Sequence, residues 1–113
     1  MTPRNLTIVL LLALALPGAA QLRTIAEAHE VAAGDIRLPQ GPVGTIGFRR
    51  CAECAYEARP VDANTAWAIN DNEVSLEFFR KTLAALQNPD EVAVQVLHEL
   101  ESDRVIRVWF WVR

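Results

Sequence analysis

The only two cysteines of the chain stand three residues apart, in Cys51-Ala52-Glu53-Cys54. That spacing suits a local disulfide, a dithiol that exchanges with other thiols, or half of a metal site. Ala55 follows Cys54, so covalent haem attachment of the C-x-x-C-H type is excluded. A thioredoxin-type catalyst sets its cysteines at a helix N-terminus, whereas the flanking residues here read as strands. Arg50, Glu53 and Glu57 bring charge of both signs and favour no thiolate. A zinc site needs two further ligands, and His29 and His98, the only histidines, lie at no finger spacing. The expectation is a disulfide that ties a bend between two strands. Closing so short a loop stabilises by about 2 kcal/mol in the chain-entropy model. Thiol-disulfide redox chemistry or metal handling by Cys51 and Cys54 is the alternative.

A second set of residues lies near the C-terminus. Ile106, Val108, Phe110 and Val112 alternate with Arg107, Trp109, Trp111 and Arg113. If the aliphatic set faces a core, Arg107, Trp109 and Trp111 face the other way. Trp and Arg dominate interface hot spots, which makes these three a candidate binding surface. Because an exposed aromatic strand invites aggregation, the expected arrangement lays the Leu76–Gln87 helix over the tryptophans and buries the strand on both sides, with the exposed surface as the alternative.

Other catalytic constellations are thin. Ser75 and Ser102 are the only serines, neither sits in a nucleophile elbow, and Ser75 suits a helix cap. Glu99, Glu101 and Asp103 read as a solvated hairpin tip, His98 as a rim or core histidine, and Trp67 as core. There is no glycine-rich phosphate loop. The residues therefore favour a non-enzymatic role and assign no cofactor and no metal site.

The compartment follows from the first twenty residues. Arg4 charges a short head, Leu6 to Leu16 is apolar, and Pro17-Gly18-Ala19-Ala20 supplies a breaker and small residues. That layout is a secretory signal peptide with cleavage expected after Ala20. The apolar run is shorter than the roughly 20 residues that span a bilayer, so no stable membrane insertion is expected. Cleavage leaves 93 of the 113 residues, with ten basic against fourteen acidic side chains, a net charge of −4. A mildly acidic domain has no global attraction for nucleic acid. An exported chain meets an oxidising compartment, where a disulfide persists.

The elements that position these residues can be read in order. Thr24-Ile25-Ala26-Glu27 has capping-box spacing, and the Ala-rich stretch to Ala33 predicts a short helix stopped by Gly34. Residues 21–44 are expected as an N-terminal arm and loop, with a single α+β domain over residues 45–113. Thr45–Arg50 and Tyr56–Val61 read as paired strands, with Pro60 at an edge. Thr65–Asn70 reads as a third strand, with Asp71-Asn72 as its turn. Residues 74–86 fit both periods, but the Ser75 cap, the Glu77/Lys81 pair and Asn88-Pro89 predict a helix over Leu76–Gln87. The last two strands pair Val96 with Val108 and Val94 with Phe110, because a one-residue slip would mix their faces. The expected architecture is a small antiparallel sheet, open or curled into a partial barrel, with one helix packed on it.

The functional expectation is a small exported protein, periplasmic or secreted, acting as an accessory or binding module. Its partner is an envelope protein or a small ligand.

Overall fold

In a computed structural model of the chain, residues 25–113 are described. The expected leader, residues 1–20, lies outside the described residues. Eight strands form two sheets, with one α-helix and two short 3-10 turns among the described residues. The strands are β1 (Ala26–Ala32), β2 (Ile36–Arg37), β3 (Gly44–Phe48), β4 (Glu57–Val61), β5 (Ala66–Ile69), β6 (Asn72–Val74), β7 (Ala93–Glu99) and β8 (Arg104–Phe110). The helix α1 spans Leu76–Ala84. The larger sheet has five strands in the order β1-β7-β8-β5-β6, the smaller three in the order β2-β3-β4. The domain is α+β as expected, but the larger sheet is mixed: β5 runs parallel to β8.

Residues 26–32 form a strand, against the expected helix. All seven residues of β1 pair with β7. Local capping spacing lost to tertiary pairing, because His29 and Val31 alternate with Ala28 and Glu30 and can bury one side of a sheet. Both inward residues are buried. The arm is thus an integral edge strand.

Helix α1 begins as its cap dictates, with the Ser75 hydroxyl accepting a hydrogen bond from the Phe78 amide at 3.1 Å. Residues 72–74 are a strand and residues 76–84 a helix, so the two periods read in this stretch belong to successive elements joined at Ser75. The helix ends three residues earlier than expected. Leu86 N bonds to Leu83 O, a tighter 3-10 closure that stops it before Gln87. Phe79 is fully buried, and Leu76, Leu83 and Leu86 pack against the core.

The β7–β8 hairpin has the expected register, Val94 opposite Phe110 and Val96 opposite Val108. A bulge follows: Leu97 and His98 face Arg107 and Val105, and Ile106 is the extra residue. Val105 therefore takes the core position expected for Ile106 and is fully buried, with Ile106 half-buried. The β5–β6 turn is one residue earlier than expected. Asn70 and Asp71 carry its positive φ values, 51° and 68°.

The smaller sheet pairs β3 with β4 as expected, and Pro60 lies on the edge strand β4. Ile46, Phe48 and Val61 of this sheet join Val94, Val96, Val105 and Val108 of the larger one in a single buried cluster. Phe79 meets Trp67 and Phe110 at ring distances of 5.2 and 5.0 Å. The core thus lies between one face of the five-stranded sheet and a second layer made of α1 and the smaller sheet.

Candidate functional site

Because both covering elements pack on the same side, the opposite face of the five-stranded sheet has no second layer among the described residues. Register places its side chains in rows. Ala28, Leu97, Arg107 and Ala66 are cross-strand neighbours in one row, and Glu30, Gln95, Trp109 and Ala68 in the next. The alanines add little bulk, so Arg107 and Trp109 are the largest groups in their rows. Arg107 is exposed and its guanidinium lies 4.9 Å from the Trp109 ring centroid, a cation–π pair. Trp109 is half-buried, and Trp111, just past the strand, is 58% exposed. Gln95 Nε2 donates to Glu30 Oε1 at 2.8 Å, which occupies that carboxylate. Arg107 makes no ion pair among the described residues. The structure therefore brings the sequence-predicted Arg107 and Trp109 together. Contrary to the expected arrangement, helix α1 lies on the far side of the sheet, against Phe110, and does not cover them.

Trp111 also lines a groove of about 950 Å³ with Leu86, Val92, Ala93 and Gln95, beyond the C-terminal end of α1. Val112 N donates to the Asn70 side-chain oxygen at 2.7 Å, which fixes the chain beside Trp111.

Cys51 and Cys54 form a disulfide across a turn in which Cys54 N bonds to Cys51 O at 3.1 Å. The turn joins β3 to β4, and residues 51–55 are all exposed. Its base is held by charge pairs: Arg50 to Glu57 at 3.3 Å, Arg59 to Glu57 at 3.1 Å and Arg49 to Asp35 at 2.8 Å. Tyr56 sits under Arg37 and Arg49, with their guanidinium carbons 3.8 and 5.0 Å from its ring centroid.

The two histidines form one buried polar cluster, with His98 in the core as expected and His29 buried against the expectation of an N-terminal arm. His29 and His98 are 8% and 6% exposed, with ring centroids 6.3 Å apart. His98 Nε2 lies 2.8 Å from Asp103 Oδ1, and His29 packs on the Phe48 ring at 5.3 Å. Burial lowers the His29 pKa, and the nearby Arg50 lowers it further, against Glu57 and Glu27. The signal was the alternation in Ala28-His29-Glu30-Val31, masked by its helical composition. Among the described residues, no group of three or more His, Cys, Asp and Glu side chains is placed to hold a metal ion.

The two serines make structural contacts: Ser75 caps α1, and Ser102 donates to Glu99 at 2.6 Å. No helix among the described residues is long and apolar enough to cross a membrane. Comparison with protein-family models, with curated proteins and with solved structures found no match to this chain.

Proposed function

We propose that the chain is a small exported accessory protein, periplasmic or secreted, that binds an envelope protein partner through Arg107, Trp109 and Trp111. One observation carries this reading: α1 and the smaller sheet both pack on a single face of the five-stranded sheet, and the Arg107–Trp109 pair projects from the other. An aromatic and guanidinium pair on an open sheet face supplies the anchors common at protein interfaces. Small ligands are usually enclosed in concave pockets, whereas Arg107 and Trp109 stand on an uncovered sheet face, which suits a protein. Export rests on the charged head, apolar run and small residues of positions 1–20, and a closed disulfide suits the oxidising side of a membrane.

Photo-crosslinking in the producing cell tests the surface. A photoreactive residue in place of Arg107 or Trp111 yields a discrete adduct, and one in place of Val43 does not. Equal labelling from all three positions, or none from any, counts against the face. Intact mass of the exported chain tests the leader, with Gln21 as the expected first residue.

A second reading has its own observation. Both cysteines are exposed, so a thiolate in solution can reach the disulfide. Thiol-disulfide exchange at Cys51 and Cys54 would require a reduction potential well above the value of about −300 mV below which structural bridges lie.

A further inference from the structure

Helix α1 and the smaller sheet share one layer over the core without closing on each other, and the gap between them is a groove of about 870 Å³. That volume falls within the range of small-molecule sites. Leu76, Leu83 and Ala84 line its helix side. Ile36, Leu38 and Pro42, from β2 and the segment leading to β3, line the other. Leu38, Leu76 and Leu83 are half-buried: each packs on the core and leaves part of its side chain in the groove. From Leu76 to Leu83 the groove runs about 10 Å along the helix axis.

Three charged side chains stand at this groove, and two of them are paired with each other. Glu77 Oε1 lies 3.4 Å from Lys81 Nζ, one turn along α1. Arg80 makes no ion pair among the described residues. Its guanidinium reaches across to Gln40, donating to the backbone oxygen at 3.3 Å and to Oε1 at 3.4 Å. Both bonds are exposed and longer than the usual range, so weak contacts hold the guanidinium there.

We infer that the groove takes a single-chain amphiphile, an aliphatic carboxylic acid whose tail lies against the leucines and whose carboxylate pairs with Arg80. The lining selects this chemistry. A wholly apolar occupant strips water from Arg80 and gives it no partner. A cationic occupant meets the one groove charge that has no counterion. A carboxylate accepts both arms of the guanidinium fork, in bonds stronger than those Arg80 makes to Gln40. Covering the exposed parts of the leucines supplies the remaining affinity. The groove lies in the second layer, on the opposite side of the larger sheet from Arg107 and Trp109, and the inference does not depend on what that face binds.

Nuclear magnetic resonance titration of the purified chain with octanoate tests it, beside octanol as the uncharged probe. Octanoate is expected to bind about tenfold more tightly than octanol, with amide shifts centred on residues 36–42 and 76–84. Arg80→Gln is expected to weaken octanoate about tenfold and to leave octanol unchanged. Ala84→Trp fills the groove from an exposed position and is expected to abolish binding of both probes. Circular dichroism checks that both variants are folded. Octanoate that fails to bind the wild type at millimolar concentration overturns the inference, as does octanol that matches it. Octanoate affinity unchanged in a folded Arg80→Gln or Ala84→Trp variant, or shifts centred on Trp111, also overturns it.

Discussion

The ring of Phe79 meets that of Phe110 edge-on, with centroids 5.0 Å apart. This contact decides the character of the last strand. Phe110 faces α1 and the core, so its strand neighbour Trp109 faces the open side. Truncating Phe79, which is fully buried, removes the ring that joins helix to sheet. Phe79→Ala is expected to destabilise the domain by about 3–5 kcal/mol, read as a lowered urea midpoint.

On the open face the opposite holds. Arg107→Ala removes an exposed guanidinium with no ion-pair partner among the described residues and is expected to change stability by no more than about 0.5 kcal/mol. Acrylamide quenching should rank the tryptophans as the structure does, with Trp111 the most quenched and Trp67 shielded. A Trp111→Phe variant should lose most of the quenchable emission. If its quenching equals that of the wild type, Trp111 is covered.

The pH dependence of stability has a direction set by His29. Burial and Arg50 lower its pKa below 6.5, so the folded state favours the neutral ring. The unfolded chain takes up a proton as pH falls through about 6.5, before the folded chain does, and stability falls with it. This contribution is complete above about pH 6.5 and is lost toward the lower, folded-state pKa. Urea midpoints measured from pH 7.5 to 5 should fall, and His29→Gln should flatten that part of the profile. A profile unchanged by the substitution would show that other groups set the slope.

Reduction of the Cys51–Cys54 disulfide releases an exposed four-residue turn outside the core. The expected loss is about 2 kcal/mol, with near-ultraviolet circular dichroism of the buried aromatics retained. Unfolding on reduction alone would contradict a local staple.

At the β5–β6 turn, Asn70 and Asp71 both hold positive φ. Asn at the first position tolerates this, whereas Asp at the second is improved by the residue without a Cβ. Asp71→Gly is expected to raise stability by roughly 0.5–1 kcal/mol in thermal melts.

Much of this geometry is legible in the residues, and the exceptions have physical causes. The β7–β8 register could be read because alternating apolar residues make a one-residue slip costly. Helix α1 could be read because Ser75 is a strong cap and Leu76, Phe79, Leu83 and Leu86 share a face. The fate of residues 26–32 could not, because alanine and glutamate favour helix locally and only pairing with a strand some seventy positions away reverses that. The bulge at Ile106 was equally hidden, since Val105 and Ile106 are both suited to burial. The parallel pairing of β5 with β8 leaves no local mark, and it decides which side of the sheet α1 covers. The side on which Arg107 and Trp109 stand was therefore predictable from alternation, but their exposure was not.

The proposed binding face is tested most directly by oxidative footprinting of Trp109 and Trp111, compared between the purified chain and the intact envelope. The expected result is ready oxidation of both residues in the purified chain and marked protection in the envelope, with Cys51–Cys54 and the turn around it equally reactive in both. Equal oxidation of Trp109 and Trp111 in the two settings would contradict a partner seated on that face.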